Sequence, residues 1–229
     1  MNPDNVFYQI AVWLIPLIIA IVFHEVSHGY AAWALGDQTA RRLGRLTLNP
    51  IRHVDPIGTV ALPMLLAIAH APIFGWAKPV PVTTSGMRHP RLDMALVAMA
   101  GPASNLVLGF LAAVAITLFV AWQGGAIDAG VPRFVAYNLI NFLQINVFLA
   151  IFNMLPLPPF DGGHVVAGVL PARLAEPYAR LGRYGFLIMI VLLVVLPSIA
   201  PDANVVAKVI GPVAEGVTRL FLRLAGALS

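Results

Sequence analysis

The stretch "FHEVSHG", residues 23–29, lies inside an apolar run from residue 6 to residue 35 that is otherwise broken only by Gln9. A helix needs about 20 apolar residues to cross a bilayer, so the run is long enough to do so. Two imidazoles and a carboxylate near its middle are costly there, and ionisable groups at such depth usually mark a function. On an α-helix His24 and His28 differ by about 40° in azimuth and about 6 Å along the axis, so both rings can reach one metal ion. Glu25 lies about 100° round from His24 and cannot easily complete the same chelate, but it can reach a water on the ion. This is a helical zinc-hydrolase arrangement. The alternative for the same residues is a set of polar groups satisfied inside a helix bundle, or half of a proton or ion pathway.

Composition supports the membrane reading. Of 229 residues, 59% are hydrophobic and 10% charged, and the mean hydropathy is +0.86, as expected of an α-helical integral membrane protein. A net charge of +4 could suggest nucleic acid, but there is no basic run or stripe, and the charges sit between apolar segments. No nucleic-acid partner is expected. The absence of cysteine excludes disulfides, thiolate metal sites and a cysteine nucleophile. The start of the chain lacks a basic leader with a small-residue cleavage site, so the first apolar segment is expected to persist as a helix.

The hydropathy pattern places spans at about residues 6–35, 92–121, 134–155, 184–200 and 204–226. Residues 57–74 are apolar but interrupted by Gly58, Pro63, His70 and Pro72, and basic residues flank both sides. If positive charge stays cytoplasmic, both flanks lie inside, and the segment dips into the membrane and returns. The expectation is therefore five to six transmembrane helices with a short re-entrant element. On this topology the N-terminus is outside and the C-terminus cytoplasmic, and only Arg133 and Lys208 of the 14 basic residues reach the outer face. No repeat or soluble domain is visible, so residues 1–229 read as one membrane domain, with a core at about 6–170 and C-terminal helices at about 180–226.

A catalytic zinc site takes three protein ligands and keeps one position open. Residues 153–164, "NMLPLPPFDGGH", follow the third span. Pro156, Pro158 and Pro159 prevent regular helix, and Gly162 and Gly163 permit close backbone approach just after Asp161. Asp161 is a candidate third ligand; its alternative is a helix N-cap.

Together "FHEVSHG", "GWAKPVPV" at 75–82, "AGPASN" at 100–105 and "NMLPLPPFDGG" at 153–163 resemble the site-2 protease family of intramembrane zinc metalloproteases, in its small prokaryotic form. The resemblance runs over about residues 10–170. It implies His24, His28 and Asp161 as ligands of Zn2+, Glu25 as general base, and Asn153 as the group that holds the substrate backbone or the developing oxyanion. For Asn105 it leaves open packing, capping or a substrate contact, and for His164 either ligand support or no metal role. It implies that about residues 41–82 form a membrane-associated β structure to which an extended substrate could add as a strand. The implied partners are the bilayer of an inner cell membrane and single-span membrane proteins, already trimmed by a separate site-1 type protease. The rival function is a membrane transporter or binding protein passing a metal or proton through the same His/Asp cluster. His53, His70 and His89 have no partner at ligand spacing and read as loop or interface residues.

Overall fold

The computed structural model describes residues 5–68, 75–125, 130–200, 204 and 206–227; His70 and the end of the 57–74 segment lie outside them. Six main helices follow one another, with a long connection between the first two: α1 Val6–Ala34, α2 Pro90–Trp122, α3 Gly130–Asn153, α4 Asp161–Val169, α5 Ala172–Ile199 and α6 Gly211–Leu224. Four of them, α1, α2, α3 and α5, are long and apolar enough to cross a membrane.

Burial is inverted relative to a water-soluble protein. Phe7 is 76% exposed and Trp122 78%, whereas Asn105 and Asn146 are 0% exposed. Large apolar side chains that point outward while amides point inward are at home only in lipid, where an unpaired polar group has no water to turn to. The chain is a multi-pass membrane protein. Its centre is the α1–α2–α3 bundle, to which α4 adds along α2 and α6 along α2 and α3.

Small residues and amides bring these helices together. Gly109 leaves room for Val147 and Phe221, and Ala112, Ala113, Leu143 and Val147 form a core against which Val217 and Phe221 of α6 pack. Pro16 lies inside α1 and lacks the N–H that would bond to the Val12 carbonyl. Asn141 of α3 supplies the missing donor, Nδ2 to Val12 O at 2.7 Å.

Between α1 and α2, where β structure was expected, no strand occurs among the described residues. Residues 56–68 instead form a π turn, Pro56–Ala61, running into a short helix, Leu62–Ile68. Residues 75–83 are extended, but their inward bonds go to turns and side chains. Trp76 N–H donates to Gly58 O (3.2 Å), Lys78 N–H to His53 O (2.8 Å) and Val80 N–H to Glu25 Oε2 (2.9 Å). Bonds at alternate residues are the mark of an extended chain. Pro79 and Pro81 remove the donors from the opposite edge, so a ladder with a neighbouring strand cannot form there.

The segment is clasped at both ends. Arg45 donates to Lys78 O at 2.9 Å, and the Asp37 carboxylate, 3% exposed, accepts from the backbone N–H and the hydroxyl of both Thr39 and Thr83. Burial alone would raise the Asp37 carboxyl, but these hydrogen bonds together outweigh it and hold it below the usual carboxylate range.

The C-terminal half departs from two apolar spans. The stretch at 184–200 is the far end of the longer α5, whereas α6 carries Glu215, Arg219 and Arg223 at every fourth residue on one line, opposite the face that meets the bundle.

Candidate metal centre

Two turns of α1 and the first turn of α4 meet beside α2. His24 Nε2 and His28 Nε2 are 3.1 Å apart, and Asp161 Oδ2 lies 3.2 Å from the first and 3.4 Å from the second. Asp161 opens α4, with Phe160 as N-cap and no side-chain cap bond. Its carboxylate is therefore turned to the imidazoles, not to its own backbone.

Local sequence explains how the three elements come so close. A Cβ at Gly101 would sit 2.7 Å from His24 Cε1 and closer still to the His28 ring, so only glycine lets α2 lie against both imidazoles. A Cβ at Gly162 would strike the carbonyls of Met154 and Leu155, and one at Gly163 the backbone of Leu157 and Pro158. The glycine pair thus seats α4 on the proline-rich turn and delivers Asp161 to the site. At Gly29 a side chain would push away Val80, whose N–H holds Glu25.

The donor chemistry asks for a cation. His28 Nδ1 is 2.7 Å from the Val97 carbonyl, which can only accept, so Nδ1 carries a proton, and in the neutral ring Nε2 is then bare. Pro102 lies inside α2 and has no N–H to offer the neighbouring Ala98 carbonyl. His24 Nδ1 faces Asn105 Oδ1 at 2.6 Å, which leaves its Nε2 bare as well. Asp161 Oδ2 is buried with no hydrogen-bond donor. With both rings neutral, three lone pairs converge on one point, and a single proton could bridge only one of the three edges. A tetrahedral ion with bonds of about 2.0–2.1 Å has ligand–ligand edges of about 3.3 Å, which the three separations match. His24, His28 and Asp161 are suited to hold Zn2+, with imidazole second nitrogens anchored as metal-binding histidines require.

Glu25 is not among the converging ligand atoms. Its carboxylate accepts the Val80 N–H, the one backbone donor that residues 79–81, Pro-Val-Pro, possess. Asn153 donates from Nδ2 to the Leu149 carbonyl of its own helix at 3.0 Å. His164 is exposed and lines a cleft with Arg91, Met94 and Glu176. His53 is buried and bonds through Nε2 to Thr47 O.

Sequence reasoning overlooked Asn146 and Asn141. Their signal was available, since an amide in the middle of an apolar span must find a partner on another helix.

Comparison with known proteins agrees with this chemistry. A family model, Peptidase family M50, matches residues 123–196. YwhC of Bacillus subtilis, provisionally named a zinc metalloprotease, is 39% identical over 184 residues, covering 79% of each chain. Rip2 of Mycobacterium tuberculosis H37Rv, provisionally named likewise, is 32% identical over 196 residues, 85% of this chain and 68% of that one. Rip2 of Mycolicibacterium smegmatis is 32% identical over 191 residues, 81% of this chain and 66% of its own. No solved structure matches the chain. The chain belongs to peptidase family M50, the site-2 protease family of intramembrane zinc metalloproteases.

Proposed function

We propose that this protein hydrolyses peptide bonds within or near membrane-spanning segments, with Zn2+ held by His24, His28 and Asp161 and with Glu25 as general base. The observation that carries the assignment is the convergence of two bare imidazole nitrogens and a carboxylate oxygen within 3.1–3.4 Å of one another. Zinc at such a site lowers the pKa of a water toward about 7 and polarises a carbonyl. Glu25 takes the proton of the attacking water and returns it to the leaving amine nitrogen, so a C–O bond forms, the C–N bond breaks and no net proton is gained. The Val80 N–H fixes the carboxylate for that transfer. Holding the substrate carbonyl falls to Asn153, which must first release the Leu149 carbonyl.

A helical substrate hides its peptide bonds in its own hydrogen-bond ladder, so it must unwind before cleavage. Residues 75–83, extended beside Glu25, are the surface along which an unwound segment lies. Pro79 and Pro81 limit that contact to bonds the substrate itself donates. The substrates are single-span membrane proteins, signalling precursors or leftover signal peptides trimmed beforehand by a site-1 type protease. In the inner membrane the N-terminus faces out and the C-terminus the cytoplasm, and residues 57–74 re-enter from the cytoplasmic side. No observation favours the transporter reading.

Purified protein in detergent is expected to carry one zinc per chain and to cut members of a single-span substrate panel. Glu25→Gln should keep zinc and lose cleavage, and Asp161→Ala should lose both. Wild-type rates from Glu25→Gln, or full zinc in Asp161→Ala, would overturn the assignment.

A further inference from the structure

The His24 ring can hold a metal through Nε2 only if its proton sits on Nδ1, and the protein contains a device that decides this. We propose that Asn105 and Asn146 act as positioning residues that lock His24 in its metal-binding tautomer, and that two backbone carbonyls, Ala20 and Phe142, set the lock. The inference rests on the zinc-site reading above.

Both asparagines are fully buried. An amide could face His24 with either end. Turned oxygen-first, Asn105 accepts from Nδ1–H and leaves Nε2 bare. Turned nitrogen-first, it would donate to Nδ1, drive the proton to Nε2 and close the site to a cation. The structure presents the oxygen, at 2.6 Å, and the surroundings explain why. Asn105 Nδ2 lies 3.2 Å from the Ala20 carbonyl, an atom that can only accept, so the nitrogen end must point there. Its other proton goes to Asn146 Oδ1 at 2.8 Å. Asn146 has the same choice of ends, settled the same way: its Nδ2 donates to the Phe142 carbonyl at 2.8 Å.

Reversing either amide would place a donor against a donor or an oxygen against a carbonyl oxygen. Both amides are fully buried, so each such clash leaves a polar group without a protein partner. The bonds also run in one direction, from the His24 ring through both amides to Phe142 O, so each dipole strengthens the next and draws electron density toward Nε2. The chain joins α1, α2 and α3, so the packing of all three helices bears on one imidazole.

The test uses full-length protein in detergent and reads zinc affinity by chelator competition, independently of proteolysis. Asn105→Leu, close in size but unable to accept, is expected to weaken zinc binding about 10- to 100-fold. Asn105→Asp keeps an acceptor for His24 and should hold zinc within about threefold of wild type. Asn146→Leu, which leaves the Ala20 lock in place, should fall between the two. If Asn105 merely filled space, the order would reverse, because leucine suits an apolar interior and a carboxylate does not; that order would overturn the proposal.

Should Asn105→Asp fail to fold, nitrogen NMR of wild-type metal-free protein labelled at histidine decides instead. A proton on His24 Nδ1 supports the lock, and one on Nε2 refutes it. A wild type that binds no zinc while keeping His24 protonated at Nδ1 would sink the protease reading and leave the lock standing.

Discussion

The α1–α2–α3 bundle and the α5 helix are equally suited to lipid by composition, yet only the bundle is tightly held. The most apolar stretch of α5 has a mean hydropathy of 2.1, between the 2.2 of α2 and the 1.7 of α3. Nevertheless α2 buries Gly101, Asn105, Gly109, Ala112 and five other residues besides Pro102, whereas the helical run of α5 buries only Ala175 and Gly185. In water this would be puzzling. In lipid an apolar side chain has no reason to leave its surroundings, so helices are drawn together by close-fitting small residues and by amides that have no other partner. The bundle has both, along the line that ends at the candidate metal site. α5 offers leucines, isoleucines and valines to the acyl chains and packs lightly.

Four experiments would break or sharpen this contrast. The largest effect belongs to the chemistry the bundle serves: Glu25→Gln should lower turnover by about 10²- to 10⁴-fold with zinc content unchanged, measured on a single-span substrate beside metal analysis. Next is close fit. Gly101→Val puts a branched side chain where a single Cβ already meets both imidazoles, and zinc should be lost from the purified protein; full occupancy would mean that the helices are not fixed by small-residue contact.

The third concerns amides as glue. Asn141→Leu should cost about 1–2 kcal/mol, read as a lower thermal midpoint, because the Val12 carbonyl loses its donor. In a Pro16→Ala background the restored backbone N–H can serve Val12, and the same substitution should cost much less. Equal costs in both backgrounds would remove the explanation. The smallest effect is reserved for α5. Arg180 pairs with Glu176 on an open surface, 62% and 74% exposed, and Arg180→Ala should change the midpoint by less than about 0.5 kcal/mol equivalent.

A pH experiment separates the polar clasp from both. The Asp37 carboxyl is held below its usual range in the folded state, so its stabilisation is present above the unfolded value of about 4 and is lost as pH falls through that value and below. The midpoint difference between wild type and Asp37→Asn should shrink from pH 6 to pH 3.

What the sequence revealed followed the range of its signals. His24 and His28 are fixed relative to each other by one helix, so their spacing sufficed. Asp161 required a judgement of depth and a family resemblance, and the structure places it beside them. The partners of the two rings were out of reach, since Asn105 stands 81 residues from His24 and Val97 69 residues from His28, and only helix packing decides which amide or carbonyl arrives. Residues 41–82 were expected to form β structure, and 75–83 are extended without a ladder: a strand reading assumes a paired neighbour, and prolines at alternate positions remove donors from the open edge. The last apolar run was read too simply. Glu215, Arg219 and Arg223 recur at helical spacing, and that periodicity distinguishes a two-faced helix from a uniformly greasy one.

The spacing of the metal-binding groups along the chain also bears on biosynthesis. During synthesis the two imidazoles enter the membrane early, and more than a hundred residues must follow before the aspartate exists. On the proposed assignment, a polypeptide halted anywhere in between would offer a cation two ligands and leave the centre open. Hydrolytic power on that assignment arrives late, only after α1, α2 and α3 have been made and α4 has begun.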